Sequence, residues 1–175
     1  MASQKGEEAS SIQPEFLLGK KAPFFELEGD DGKRYALKDF EGSVLVLYFY
    51  PKDDTPGCTS EAKDFTALKE AFRAKGARVV GVSRDTVEKH KKFKEKHGIQ
   101  VLLLSDPEGK VHREYGVLQE KTMYGKKSIG TVRTTFLIDA QGVVRRAFSK
   151  VKVAGHAQAV LQVIDEEGVA CGKIL

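Results

Sequence analysis

The sequence predicts an α/β fold, a central mixed β-sheet flanked by helices on both faces, with an N-terminal β-hairpin. Three observations lead to it. Strand-like and helix-like hydrophobic patterns alternate along the chain, the order that parallel crossovers require. Val44 to Tyr50 is a near-continuous apolar run of strand length, as in a central strand buried on both faces. Two strand pairs joined by Asp- and Gly-containing turns read as hairpins and add antiparallel strands.

In chain order, Phe24–Glu28 and Lys33–Leu37 flank Asp30-Asp31-Gly32 and form the first hairpin. The Val44–Tyr50 strand ends at Pro51. After the loop Lys52–Gly57, Ala62, Phe65, Leu68 and Phe72 recur at helical spacing, and Gly76 stops that helix. Arg78–Val82 is the next strand. Asp85 with Glu88 forms a capping signature for a helix carrying Val87 and Phe93. Val101–Leu104 is a further strand, and Asp106-Pro107-Glu108 opens a short helix with Pro at its first position. Thr134–Ile138 and Val143–Phe148 flank Asp139-Ala140-Gln141-Gly142 as the second hairpin. Gly155–Ile164 is the closing helix, followed by a tail that contains Cys171.

The 175 residues suit one domain on a prior of roughly 150 residues each. Residues 1–16, MASQKGEEASSIQPEF, are polar and read as a flexible tail, with the domain over residues 17–175. That opening lacks the apolar core of a secretion signal, so the cytoplasm is the expected location. No apolar run approaches the ~20 residues that span a bilayer, which excludes a membrane helix. The net charge is +4, but the basic residues are interspersed with acids, as over Glu88–His97. That pattern reads as a solvated helix face and not as a nucleic-acid surface. His90, His97, His112 and His156 are scattered, no C-x-x-C occurs and no phosphate-binding glycine loop is present. Neither a metal nor another cofactor is therefore expected.

The chemistry-bearing segment is Pro51 to Ala62. It places Cys58 where a buried strand passes through a Pro/Gly loop into the first turn of a helix. Helix N-termini present unpaired N–H groups and a partial positive charge, and both favour a thiolate. Thr55, three residues earlier, carries a hydroxyl able to donate to the sulfur or to an oxygen of a bound substrate. Read without further context, a lone cysteine is more often a buried inert residue. Arg133, at a strand start, reads as a surface residue by itself.

Pro51, Thr55 and Cys58 fit the P-x-x-x-T-x-x-C signature of the peroxiredoxins. Tyr48–Asp53, Thr55–Thr59 and Glu61-Ala62 resemble the bacterioferritin-comigratory-protein (PrxQ) subfamily. Further matches lie in Gly81-Val82-Ser83, Leu104–Gly109, Met123–Lys126, Arg133–Asp139 and Lys150–His156. The resemblance covers roughly residues 17 to 165. It implies a thioredoxin-like fold and thiol-dependent reduction of hydrogen peroxide or organic hydroperoxides. It makes Cys58 the peroxidatic cysteine, oxidised to a sulfenic acid, with Thr55 and Arg133 as active-site partners and Pro51 as a shield. Glu61, one turn after the thiol, either orients Arg133 or caps the helix.

The sequence departs from that pattern at the position five residues after Cys58, where many members carry a resolving cysteine and Lys63 stands here. Nothing in the following helix replaces it. Three recycling routes stay open: an outside thiol (thioredoxin, glutaredoxin or a small thiol), Cys171 as resolver within or between chains, or Cys171 as a spectator. The expected oxidised product is a Cys58 sulfenic acid and the expected state a monomer, with a dimer if Cys171 links chains. The alternative reading is a redox-sensing or chaperone-like protein that uses the same thiol without sustained turnover.

Overall fold

A computed structural model describes residues 8–166 of the chain. Residues 1–7 of the expected tail, and Cys171, lie outside this range. Seven strands form one sheet in the order β2-β1-β5-β4-β3-β8-β9. They are β1 (Glu26–Gly29), β2 (Arg34–Ala36), β3 (Val44–Phe49), β4 (Ala77–Ser83), β5 (Leu102–Ser105), β8 (Thr134–Ile138) and β9 (Val144–Phe148). The pairs β3–β4 and β4–β5 are parallel; β1–β2, β1–β5, β3–β8 and β8–β9 are antiparallel. The expected mixed sheet and both expected hairpins are present. Among the described residues no helix is long and apolar enough to cross a membrane.

Central β3 explains the two-layer core. All six of its residues are buried. Side chains alternate across a strand, so Val44, Val46 and Tyr48 join one hydrophobic cluster and Leu45, Leu47 and Phe49 the other. The first cluster is completed by α1 (Pro56–Ala67), α2 (Lys69–Ala74), α3 (Val87–His97) and α5 (His156–Glu166). The second is completed by α4 (Lys110–Glu114) and by Leu17, Phe25 and Phe40.

Four local expectations are corrected. The helix expected through Phe72 breaks at Leu68 into α1 and α2. There the Thr66 hydroxyl donates back to the Ala62 carbonyl at 2.8 Å and accepts the Gln100 N–H at 3.1 Å, an arrangement that bends helices. Thr66 thus ties the end of α1 to the loop before β5. The cap of α3 is Thr86, not Asp85. The Asp85 carboxylate instead accepts from the Ser83 hydroxyl and from the Asp53 N–H, at 2.7 and 2.8 Å. Asp106-Pro107-Glu108 is a turn closed by the Gly109 N–H on the Asp106 carbonyl, and α4 starts at Lys110. The Asp106 carboxylate folds over that turn to take the backbone N–H of His112 at 2.9 Å.

The fourth correction is to the opening segment. Residues 8–16 read as part of a loose tail, yet the Ser10 N–H donates to the Leu118 carbonyl and Pro14 is buried in a short 3-10 turn, Pro14–Leu17. Strands β6 (Leu118–Met123) and β7 (Lys126–Thr131), absent from the sequence expectation, pair as a separate hairpin.

On the face of the sheet that carries Tyr48, Gly81 of β4 lies against the Tyr48 ring. A Cβ there would sit 2.7 Å from Tyr48 Cζ and 2.9 Å from Leu103 Cδ2. Gly81→Ala is therefore expected to lower the free energy of unfolding by about 1–3 kcal/mol. Urea titration followed by far-UV circular dichroism checks this, and an unchanged midpoint would contradict the close packing.

Candidate active site

Sheet register assembles the site. Phe49 at the end of β3 pairs with Thr134 at the start of β8, so Arg133, one residue earlier, is brought beside the loop that follows β3. That loop then turns into α1, with Thr55 as its cap residue and Pro56 at the first helical position. The first helical bond runs from the Thr59 N–H to the Thr55 carbonyl at 2.8 Å. The Gly57 and Cys58 N–H groups precede it, in the turn that helices leave unpaired.

Cys58 is 1% exposed. Arg133 Nη2 donates to its Sγ at 3.4 Å, and Arg133 Nη1 donates to Glu61 Oε1 at 2.7 Å. Glu61 is as buried as Cys58 and lies one turn further along the same helix face, so a single guanidinium bridges both side chains. Of the two expectations for Glu61, orienting Arg133 matches the contact. Gly57 makes room for the bridge, because a Cβ there would sit 3.1 Å from Arg133 Nη2. From the sequence, Gly57 reads only as part of a Pro/Gly loop.

Of the two acceptors expected for the Thr55 hydroxyl, the sulfur and an oxygen of a bound substrate, the sulfur is not engaged. The hydroxyl donates instead to the Lys52 carbonyl at 2.8 Å. Pro51 is exposed and lines an open groove together with Arg133.

The loop between Pro51 and Cys58 is fastened to α3. Asp53, buried, accepts from the Tyr50 hydroxyl at 2.5 Å and faces His90 Nδ1 at 2.6 Å. His90 Nε2 faces the Leu104 carbonyl at 2.9 Å. A carbonyl only accepts, so Nε2 carries a hydrogen. Asp54, in the left-handed region with φ 63, accepts from Lys96 and His97. Those two hydrogen bonds hold its carboxyl below the usual carboxylate range. The expected solvated face of α3 is thus corrected: His90 is wholly buried and His97 pins the loop. The spacing of His90 from buried Phe93, three residues on one helix face, was the available signal.

Burial pushes the Glu61 carboxyl up to about 7, and the Arg133 charge offsets this only in part. Burial also opposes the Arg133 charge, but Glu61 and Cys58 outweigh it and hold the guanidinium above its usual value. The Arg133 charge is fully answered only when Glu61 is ionised. Arg133 stays charged at any physiological pH, so Glu61 is the member of the pair that titrates. His156, at the start of α5, shares a 2.8 Å hydrogen bond with the Thr135 hydroxyl. Burial and then the nearby Arg133 charge lower it to about 4, which leaves it neutral. The Tyr48 hydroxyl and Glu61 Oε2 are buried with no partner among the described residues.

These features define a thiol-dependent oxidoreductase on a thioredoxin-like fold: one buried sulfur at a helix start, bridged by an arginine to a buried carboxylate. The AhpC/TSA family pattern matches residues 18–147, and the chain belongs to that family. Peroxiredoxin Bcp of Bacillus subtilis is 47% identical over 149 residues, covering 85% of this chain and 95% of the relative. Peroxiredoxin Bcp of Escherichia coli is 38% identical over 148 residues, with the same coverage. Among solved structures, the bacterioferritin comigratory protein of Xanthomonas campestris superposes with a TM-score of 0.79 at 45% identity, covering 82% of this chain and 91% of that one. A cysteine-to-serine variant of Xylella fastidiosa PrxQ also gives 0.79, at 36% identity, covering 93% and 98%. The protein is a peroxiredoxin, a thiol peroxidase.

The two shifted groups oppose one another in the pH dependence of stability. Glu61 prefers to stay protonated in the fold. Its contribution is complete below pH 4.5 and is lost as pH rises through about 7, a fall of about 3 kcal/mol. His156 prefers to stay neutral, so its contribution is complete above pH 6.5 and is lost as pH falls towards about 4. Glu61→Gln is expected to make stability rise steeply from pH 4.5 to 6.5, and His156→Gln to make it fall over the same interval. Urea midpoints measured across that range check both. Profiles parallel to the parent's would show that neither group titrates as described.

Proposed function

We propose that Cys58 is the peroxidatic cysteine and reduces hydrogen peroxide and organic hydroperoxides. The observation that carries this reading is the Arg133 Nη2 contact on Cys58 Sγ at 3.4 Å. The sulfur attacks the terminal peroxide oxygen, the O–O bond breaks, and water or an alcohol leaves after taking a proton. Cys58 becomes a sulfenic acid. Negative charge passes from sulfur to the departing oxygen during this displacement, and a donor already fixed beside the sulfur meets it at no reorganisation cost. Arg133 suits that task because its fork of donors is rigid and permanently charged.

In this reading Glu61 is a positioning residue: it holds Nη1 so that Nη2 faces the sulfur. Thr55 turns its hydroxyl from the Lys52 carbonyl to a substrate oxygen, and Pro51 limits the approach of water. The alkyl peroxide reduction attributed to the X. campestris relative supports including organic hydroperoxides. With Lys63 where a resolving cysteine would stand, and no cysteine in α3, the sulfenic acid is recycled by an outside thiol, whether from thioredoxin, glutaredoxin or a small molecule. Cys171 lies outside the described residues. The working form is a monomer.

Peroxide consumption under excess reductant tests the reading. Cys58→Ser is expected to abolish it. Arg133→Gln is expected to lower the second-order rate constant for Cys58 oxidation roughly 10²–10³-fold, the usual cost of removing one charge-stabilising donor. Gly57→Ala, which only displaces that donor, is expected to cost roughly tenfold or less. A parent Cys58 that reacts with peroxide no faster than free cysteine would sink the proposal. Oxidation without turnover would favour the sensor reading.

A further inference from the structure

We propose that the groove beside Arg133 is the reductant site, and that it takes a small thiol of net negative charge carrying carboxylate groups. This rests on the peroxidase reading above and names the chemistry of its second substrate. The groove measures about 660 Å³, within the range of roughly 300–1,000 Å³ typical of small-molecule sites. Pro51 and Arg133 form part of its lining. Arg133 also touches Cys58 Sγ, so one side chain joins the groove to the sulfur, which is itself buried and outside the lining.

Its charged lining is asymmetric. Lys121 and Lys150 are exposed, and Glu120 is the one acidic residue among the lining side chains. Lys121 Nζ spends one donor on the Thr131 carbonyl at 3.1 Å and keeps two for a ligand. Among the described residues Lys150 forms no side-chain hydrogen bond or ion pair, and its backbone is held in the left-handed region at φ 53. The next residue fixes it there, since the Val151 N–H donates to the Arg133 carbonyl at 3.1 Å. Lys150 is therefore presented from the segment bonded to the arginine that touches the thiol. Two lysines and one glutamate complement a molecule with two carboxylates and one ammonium group. Hydrogen peroxide needs none of these groups. An outside thiol bearing carboxylates engages them, and the proposed recycling calls for an outside thiol because neither position 63 nor α3 supplies one.

The reaction balances without any further component. The thiolate of the first small thiol attacks the sulfenic sulfur of Cys58; the S–O bond breaks, and hydroxide takes a proton and leaves as water. A mixed disulfide remains. A second thiolate attacks the small-molecule sulfur, the S–S bond breaks, and Cys58 departs as the thiolate with release of the symmetrical disulfide. Two thiols thereby supply the two electrons that the peroxide removed.

The test uses the full chain bearing Cys171→Ser, so that the outside thiol meets the sulfenic acid itself. After one equivalent of hydrogen peroxide, reduction is timed with mercaptosuccinate and glutathione (anionic), 2-mercaptoethanol (neutral) and cysteamine (cationic). Rates are compared at equal thiolate concentration. The expected result is saturation with the anionic thiols only, with a KM that rises with ionic strength. Reversing both lysines, Lys121→Glu with Lys150→Glu, is expected to raise the mercaptosuccinate KM roughly tenfold. The charge-conserving pair Lys121→Arg with Lys150→Arg restores it. Equal, unsaturable rates across the series would overturn the assignment, as would a KM indifferent to the lysines. Failure of Cys58 to consume the initial peroxide would instead overturn the peroxidase reading, so the two failures are distinguishable.

Discussion

A guanidinium that cannot lose its proton is costly to bury unless every face of it is answered. Arg133 is answered on one side by Glu61 Oε1 at 2.7 Å and on the other by Cys58 Sγ at 3.4 Å. Much of the surrounding structure reads as the scaffold for that bridge. The β3–β8 register sets Arg133 opposite the end of the central strand. A helix start holds the sulfur, Glu61 follows one turn later, and a glycine stands where any side chain would displace the guanidinium. Burial of Glu61 raises its carboxyl, but the arginine keeps that group within reach of ionisation near neutrality. The pair therefore couples the packing of α1 to the charge beside the thiol.

A second set of contacts works from the opposite side. Asp53 and Asp54, adjacent in the loop, are each gripped by α3 through His90, Lys96 and His97, while Asp85 accepts the backbone N–H of Asp53. Local resolution of an oxidised thiol needs a second cysteine whose Cα comes within about 7 Å of the first. Here α3 carries no cysteine and its loop-facing positions are occupied by anchoring side chains.

The sheet and its order were legible because their signal is local. Val44–Phe49 could only be a strand buried on both faces, and the Asp/Gly turns marked two hairpins. The β6–β7 hairpin escaped notice because Leu118–Thr131 is a largely solvated ribbon with no apolar alternation to reveal it. The capping of α3 was misread for a different reason. Asp85 has the right spacing to cap, but it is claimed by Ser83 and Asp53, the latter 32 residues earlier in sequence. Cys58 and Thr55 stand out in the sequence by their place at a helix start, whereas the roles expected of Pro51 and Arg133 come from a family resemblance; spacing alone does not join residues 58 and 133. His90, His156, Tyr48 and Gly57 matter through contacts that only the register and helix packing create. His90 reads as part of a solvated face because its neighbours on both sides, Lys89 and Lys91, are charged.

The placement of the thiol also has a dynamic meaning. Strand β3 is paired along its length with β4 on one side and β8 on the other, and none of its side chains reaches solvent. Its amides belong to the part of the molecule that opens only with global unfolding. Immediately beyond it, residues 51–57 hold to the protein mainly through side-chain contacts with α3, several of them exposed. The Cys58 sulfur thus stands on the boundary between a strand paired on both sides and a loop held mainly by side chains. Because those contacts come from α3 side chains and not from the β3–β8 ladder, the attachment of the loop and the register that aligns Arg133 rest on separate sets of bonds.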